Sequence, residues 1–76
     1  MDKAIVLLTL EPDTGLDVLE KVAEIKGVLE THFLYGPYDA YAVIEAPDSS
    51  ELQKIVIDTI RQIEGIRSTM TCFVAD

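Results

Sequence analysis

The sequence has very few of the residues that crosslink small proteins. It contains one cysteine, Cys72, and one histidine, His32, in 76 residues. A single cysteine excludes an internal disulfide, and one cysteine with one histidine is too few for a structural zinc site. A chain of this length forms one domain, and a core of this size rarely supplies more than about 3 to 5 kcal/mol. We therefore expect no metal or cofactor, and we expect a partner subunit to supply further stability.

Basic residues are also scarce. Six Lys and Arg residues stand against 14 Asp and Glu residues, which gives a net charge of −8. Binding to phosphates depends on clustered Lys and Arg, so this composition argues against direct contact with nucleic acid or with anionic membranes. The apolar run at residues 4–10 is too short for a signal peptide or a membrane span. The expectation is a soluble, cytoplasmic protein.

Apolar residues are abundant, at 49% of the chain, and they fall into segments separated by turn signals. Runs rich in β-branched residues predict four strands, and Gly-Pro marks a tight connection between the second and the third. The predicted strands cover residues 4–10, 28–35, 38–46 and 66–75. Apolar residues recur at helical spacing from Leu16 towards Gly27 and from Leu52 towards Gly65, which predicts two helices. The order of elements is βαββαβ.

The second half of the chain repeats the pattern of the first. Residues 25–28, Ile-Lys-Gly-Val, match residues 63–66, Ile-Glu-Gly-Ile, at an offset of 38 positions, and the same offset places Leu19 on Ile57. Two βαβ units with right-handed crossovers form a four-stranded antiparallel sheet with both helices on one face. The predicted fold class is α+β, ferredoxin-like.

This architecture leaves one face of the sheet without a covering element. The strands carry apolar side chains in both phases, as Tyr41 and Val43 alternate with Ala42 and Ile44. A monomer would expose a large apolar patch, so the sequence predicts a dimer formed face to face through the sheets. Ile57 lies off the main apolar stripe of its helix and indicates a further contact.

Three phrases carry a resemblance to a known family. Residues 25–30, IKGVLE, residues 36–39, Gly-Pro-Tyr-Asp, and residues 63–71, IEGIRSTMT, resemble the ligand-binding half of the Lrp/AsnC (feast/famine) transcription regulators. That half is called the RAM domain, for regulation of amino acid metabolism. The resemblance covers nearly the whole chain, and the combination of Gly-x-Tyr-Asp with Thr-x-Thr on the last strand is more specific than either motif alone.

The resemblance implies a single RAM domain over residues 1–76, without the helix-turn-helix DNA-binding domain of the full-length regulators. Such stand-alone modules have a ferredoxin-like fold, dimerise into an α/β-barrel-like assembly and often form rings of dimers. They bind amino acids or related metabolites in clefts between subunits. The implied partners are a second copy, a small molecule that is an amino acid or a relative of one, and full-length Lrp/AsnC regulators.

The resemblance also implies a ligand site, which the chemistry of the residues supports. Gly36 permits close approach of a ligand to the backbone, and Tyr38 and Asp39 place a phenol and a carboxylate at a loop edge. Asp39 suits an α-amino group, while loop N–H groups suit the α-carboxylate. Thr69 and Thr71 present two hydroxyls on one strand face. The adjoining proline departs from the polar residue commoner in the family and removes one N–H donor.

Each candidate has a plainer interpretation. Tyr38 and Asp39 are also ordinary turn residues, and threonines are common in strands. His32 is more typical of an interface than of a metal site, and Cys72 of a small apolar residue. The acidic residues of the first helix are typical of a solvated face.

Catalytic motifs are not evident. The sequence contains no Ser-His-Asp arrangement beyond single residues, no Gly-rich phosphate loop and no CxxC pair. We therefore expect no enzymatic activity. Two hypotheses stay open: an effector-binding and oligomerisation module, and a purely structural or protein-interaction module with a vestigial cleft.

Overall fold

The computed structural model describes residues 1–14 and 16–75, and its elements follow the predicted order βαββαβ. They are β1 (Asp2–Leu10), α1 (Leu16–Ala23), β2 (Val28–Phe33), β3 (Ala40–Ala46), α2 (Ser49–Lys54), a π-helical turn (Ile55–Ile60) and β4 (Ile66–Phe73). Pro12 and Pro47 lie just beyond β1 and β3, where the lack of an N–H group ends strand pairing. The predicted domain range, 1–76, includes Gly15 and Asp76, which lie outside the described residues.

The four strands form one antiparallel sheet in the order β2-β3-β1-β4. β1 therefore pairs with both β3 and β4, and β2 and β4 are the edges. The register sets Ala40, Leu8 and Thr69 side by side across three strands, and in the same way it aligns Tyr41, Leu7 and Met70. Because successive side chains point to opposite faces, these two rows lie on opposite sides of the sheet.

The core lies between the sheet and the two helices. Buried side chains alternate along β1 and β3, and they pack against the apolar stripes of α1, α2 and the π-turn. The largest of those that are fully buried are Leu8, Ile44, Leu52, Ile60, Val6 and Val22. Each such side chain contributes roughly 1.5 to 3 kcal/mol through removal from water. The predicted arrangement, with both helices on one face, is confirmed.

The repeat is visible in the backbone hydrogen bonds. After α1, the N–H of Ile25 donates to Val22 and the N–H of Val28 donates to Ile25, each at 3.1 Å. The equivalent N–H groups, 38 positions later, form the same two bonds at 3.1 and 3.2 Å. Gly27 and Gly65 follow at φ of 101° and 105°, in the region where glycine has no steric penalty. Each half therefore enters its last strand through the same glycine turn.

The second helix departs from the predicted continuous α-helix. It begins with a cap in which the Asp48 side chain accepts a hydrogen bond from the N–H of Glu51 at 2.9 Å. After Lys54 it widens into the π-turn, where the N–H of Arg61 donates to the carbonyl of Val56, five residues earlier, at 2.9 Å. Four of the six residues of the turn are Ile or Val, and β-branched side chains crowd an α-helix. The wider turn accommodates them.

The connection between β2 and β3 is longer than the tight Gly-Pro turn that the sequence predicts. β2 ends at Phe33 and β3 begins at Ala40, which leaves residues 34–39 as a loop. The N–H of Leu34 donates to the carbonyl of Asp39 at 2.9 Å and closes this loop. The predicted strand ends at residues 35 and 38 were wrong because Asp39 uses its polar groups to anchor the loop. The predicted extension of β4 to Ala75 was also wrong, since the strand ends at Phe73.

Candidate functional site

The loop at residues 34–39 places Gly36, Tyr38 and Asp39 at one end of the sheet. Gly36 is exposed at φ of 143°, and a Cβ built there would meet nothing within 4 Å. A side chain would therefore be disfavoured by backbone conformation and not by crowding. The space above Gly36 is open, as approach of a ligand to the backbone requires.

Asp39 is held by three hydrogen bonds. Its N–H donates to the carbonyl of Leu8 at 2.9 Å, its carbonyl accepts from Leu34, and its carboxylate Oδ2 accepts from the N–H of Leu10 at 2.8 Å. Asp39 therefore stabilises the loop, as expected of an ordinary turn residue. The other carboxylate oxygen, Oδ1, accepts no hydrogen bond from the part of the chain that the structure describes. One oxygen of an exposed carboxylate remains for a donor from outside.

Tyr38 lies against the uncovered face of the sheet. Its hydroxyl donates to the sulfur of Met70 on β4 at 3.2 Å, so the ring reaches from the start of β3 across β1. Met70 is paired with Leu7 and belongs to the row of side chains that points away from the helices. Tyr38 is half-buried by this contact.

Thr69 and Thr71 lie on the other face of the sheet, which carries the helices. They are paired with the buried residues Leu8 and Val6, and both are half-buried. They line a groove of about 290 Å³ between the second helix and the edge strand. The α2–β4 groove, as we call it, is formed by Gln53, Val56, Ile57, Arg61, Thr69, Thr71 and Phe73.

Within one chain the five predicted residues do not form a single pocket. Gly36, Tyr38 and Asp39 belong to the loop, while Thr69 and Thr71 belong to the α2–β4 groove. Because Ala40, Leu8 and Thr69 are neighbours across the strands, the loop and the groove are about 10 Å apart at the level of the backbone. They share one end of the sheet, and Tyr38 lies on the opposite side of it from the two threonines. Arg61 and Gln53, which the sequence analysis did not single out, supply the long polar side chains of the groove.

The open face of the sheet, defined here by Ile5, Leu7, Tyr41, Val43, Met70 and Cys72, is covered by no element among residues 1–14 and 16–75. Ile5 is 38% exposed and Met70 is 50% exposed, while Leu7, Tyr41 and Val43 are half-buried only by their neighbours within the sheet. The predicted uncovered face is therefore present. Cys72 is also exposed on this face.

The open face also carries a polar cluster beside the edge strand β2. The Tyr41 hydroxyl donates to Glu30 Oε1 at 3.3 Å, the imidazole of His32 stacks on the Tyr41 ring at 5.3 Å, and His32 Nε2 is 3.9 Å from Glu30 Oε1. Loss of water around the phenol raises the pKa of Tyr41, and the charge and hydrogen bond of Glu30 raise it further. The phenol is held as a neutral donor to the carboxylate.

The model of the Lrp/AsnC ligand-binding domain matches residues 3–76, which is almost the whole chain. This chain belongs to the Lrp/AsnC ligand-binding domain family. The RAM resemblance inferred from the sequence is thereby confirmed. The match includes the loop, the α2–β4 groove and all four strands.

Curated relatives of this Lrp/AsnC domain include transcription regulators and an enzyme. HTH-type transcriptional regulators of Pyrococcus furiosus and Pyrococcus horikoshii are 39% and 38% identical over 71 residues, which is 90% of this chain and 47% of each regulator. The chain thus spans about half the length of these regulators. The homocitrate synthase of Sulfolobus acidocaldarius is 34% identical over 71 residues, 90% of this chain and 15% of the enzyme.

Solved structures agree with the fold of the Lrp/AsnC domain. A Thermus thermophilus protein superposes with a TM-score of 0.93 at 30% identity, covering 100% of this chain and 95% of that one. A transcriptional regulator of Neisseria meningitidis, crystallised as an L-Met complex, superposes with a TM-score of 0.84 at 20% identity, covering 99% of this chain and 50% of that one. The ferredoxin-like fold is shared throughout these structures.

Within residues 1–14 and 16–75, no three His, Cys, Asp or Glu side chains are arranged to hold a metal ion. Over the same residues, neither helix has the length and apolar character needed to cross a membrane.

Proposed function

We propose that this Lrp/AsnC domain is an effector-binding and oligomerisation module that senses an amino acid or a related metabolite and modulates Lrp/AsnC-type transcription regulators. The observation that carries the proposal is the pair of half-sites at one end of the sheet. A loop with a free carboxylate oxygen lies there beside a groove with two hydroxyls. The module binds its ligand without catalysis.

The open face supports a dimer as the working unit. Along the strands, its apolar side chains alternate with those buried in the core, and in a single chain they would be exposed to water. A second copy seated on the same surface buries both faces at once, since a two-fold interface uses one patch twice. Face-to-face packing of the sheets closes an α/β-barrel-like dimer. Light scattering at micromolar concentration is expected to give at least twice the 8.4 kDa chain mass, and a monomer mass would contradict the dimer.

The ligand cleft of the proposal lies between subunits. Asp39 of the loop lines a different depression from the α2–β4 groove of the same chain, so the proposed complete site uses the loop of a neighbouring copy. In that arrangement Asp39 Oδ1 accepts from the ammonium group of an amino acid, and the Thr69 and Thr71 hydroxyls contact the ligand from the other side. Tyr38 and Gly36 shape the wall. Dimers that share such clefts assemble further, into a ring of dimers.

The relatives support a sensing role that is separable from DNA contact. Similar segments occupy about half of HTH-type regulators and about a seventh of a homocitrate synthase. Neither the charge of −8 nor its distribution suits phosphate binding. Co-assembly with full-length regulators through the open face gives the module its effect on transcription. A fold relative crystallised with L-Met makes amino acids the first ligands to test.

A thermal-shift screen against the amino acids tests this proposal. A ligand that binds only the folded state raises Tm, because at a concentration of 100 times the Kd it stabilises that state by about 2.7 kcal/mol. Asp39→Asn is the informative variant, because its amide oxygen still accepts from the N–H of Leu10 while the charge is lost. We expect wild type to show a shift and Asp39→Asn to lose most of it.

The control for Asp39→Asn is light scattering, which is expected to give the wild-type mass. Asp39→Ala is less suitable, since it also removes the loop hydrogen bond. A wild-type protein that responds to no amino acid and to no related acid would contradict the sensing function.

A structural module is the second candidate, and one observation favours it. Asp39 already binds the N–H of Leu10, and Tyr38 already contacts Met70, so both have a role in shaping the loop without a ligand. This candidate predicts no thermal shift and an unchanged assembly with regulators when Asp39 is replaced by Asn. Native mass spectrometry of mixtures with a full-length regulator distinguishes the two.

A further inference from the structure

The repeat creates two equivalent grooves on the helix side of the molecule. One is the α2–β4 groove, and the other, the α1–β2 groove, lies between the first helix and β2, with a volume of about 340 Å³. Positions 19, 23, 31 and 33 line the first-half groove, and positions 57, 61, 69 and 71 line the second-half groove at the offset of 38. The repeat therefore builds this groove twice, and the π-turn and the side chains distinguish the second groove from the first.

Two of the four equivalent positions differ in chemistry. Ala23 and Phe33 of the α1–β2 groove correspond to Arg61 and Thr71 of the α2–β4 groove. Since the first half folds with an alanine and a phenylalanine at these places, the fold does not require a guanidinium and a hydroxyl at them. The α1–β2 groove is also lined by Glu20, whereas no described residue lining the α2–β4 groove is acidic. The second groove alone combines a cation with neutral polar and apolar walls.

The other cations that line depressions are accompanied by carboxylates. Arg67 shares a depression with Glu11, Asp13 and Asp39, and Lys26 shares one with Glu45, Asp48 and Glu51. In a chain with a net charge of −8, such neighbours repel an anion. Arg61 has no ion-pair partner among residues 1–14 and 16–75. Among the described cations that line a depression, Arg61 is therefore the best suited to bind a carboxylate.

The apolar part of the α2–β4 groove faces solvent as well. Ile57 is 49% exposed and Phe73 is 47% exposed, and both line the groove with the buried Val56 beneath. A volume of about 290 Å³ is at the lower limit of the range for drug-sized ligands and suits a smaller one. A short aliphatic chain would be removed from water there.

We propose that the α2–β4 groove binds the carboxylate of a small aliphatic metabolite, with Arg61 as its ion-pair partner. The class comprises aliphatic amino acids and their 2-oxo acids. A guanidinium holds a carboxylate through two parallel N–H donors, Thr69 and Thr71 donate to the remaining lone pairs, and Ile57 and Phe73 contact the aliphatic chain. This assignment rests on the proposed sensing function and replaces loop N–H groups by Arg61 as the carboxylate partner.

The test compares three ligands that share one branched aliphatic chain. Calorimetry with L-leucine, 4-methyl-2-oxopentanoate and 3-methylbutan-1-amine separates the carboxylate from the ammonium group. We expect binding by compounds that carry the carboxylate and none by the amine. Arg61→Ala gives the groove the residue of the first half and is expected to weaken binding about 10- to 100-fold, since a hydrogen bond to a charged group is lost. Thr71→Phe, which copies Phe33, is expected to block the groove.

Lys21→Ala is the matched control, because it removes one positive charge from the exposed side of α1. It is expected to bind like wild type. Equal affinity in wild type and Arg61→Ala would overturn the assignment, as would tight binding of the amine. A polar amino acid that binds wild type, depends on Asp39 and ignores Arg61→Ala would overturn the groove assignment while leaving the sensing function intact. Failure of every acid to bind wild type would overturn both.

Discussion

Leu19 on α1 and Ile57 on the π-turn occupy equivalent positions 38 residues apart, yet Leu19 is 6% exposed and Ile57 is 49% exposed. The two halves share the glycine turn, its hydrogen bonds and the crossover between strands. They differ where the second helix widens and where the second groove gains Arg61 and Thr71. A repeat thus conserves what the backbone needs, and the departures from it identify residues that stability does not require.

The largest test of this comparison is a pair of truncations at equivalent positions. Leu19→Ala is expected to cost about 2 to 5 kcal/mol in the free energy of unfolding, because it leaves a cavity under α1. Ile57→Ala is expected to change it by no more than about 0.5 kcal/mol, as for other surface sites. Urea unfolding of both variants at equal protein concentration measures the difference. A cost for Ile57→Ala as large as that for Leu19→Ala would mean that the assembly buries Ile57.

The glycine turns provide a test in which the halves should behave alike, with a smaller effect. Gly27→Ala and Gly65→Ala each force an L-residue to a φ near +100°, which costs about 1 to 3 kcal/mol. A Cβ at position 27 would lie 2.9 Å from the carbonyl oxygen of Glu45, and one at position 65 would lie 2.8 Å from a methyl group of Val18. Because a backbone carbonyl within a strand moves less readily than a side chain, we expect Gly27→Ala to lower Tm more. A neutral effect of one variant alone would contradict the equivalence of the two glycine turns, and a neutral effect of both would contradict the expected backbone strain.

The smallest expected effect concerns Tyr41, whose pKa is raised by loss of water around the phenol and further by Glu30 on the edge strand β2. Glu30→Gln keeps an acceptor and removes the charge, so the pKa of Tyr41 should fall towards its ordinary value. Because the pKa of Tyr41 is higher in the folded state, the tyrosine contributes stability at pH values below its unfolded pKa of about 10. That stability is lost as the pH rises through the folded-state pKa. Carbon NMR of labelled tyrosine follows the titration. An unchanged pKa would exclude a contribution from Glu30 and leave loss of water as the cause.

The sequence contained most of the fold and part of the site. Alternation in β3, helical spacing in α1 and the matching glycines determine element order, topology and the uncovered face. The sheet faces of Thr69 and Tyr38 could not be predicted, because the strands are apolar in both phases and only the register decides. The π-turn was also hidden, since Ile55, Val56 and Ile60 have spacings that fit an ordinary helix. A binding role for Arg61 could not be predicted either, because it depends on the groove that Arg61 lines and on the equivalent groove lined by Ala23.

The strand order has a consequence for how the chain reaches its native state. β1 pairs with β3 and β4 and not with β2, so the first strand of the repeat has both its partners in the second half. The N–H of Glu45 donates to Gly27 and the N–H of Glu11 donates to Gly65, which links each half to the other a second time. Contacts so distant in sequence slow folding, because loops must close before pairing stabilises them. The first half therefore has no paired strands of its own, and its strands join a sheet only together with those of the second half.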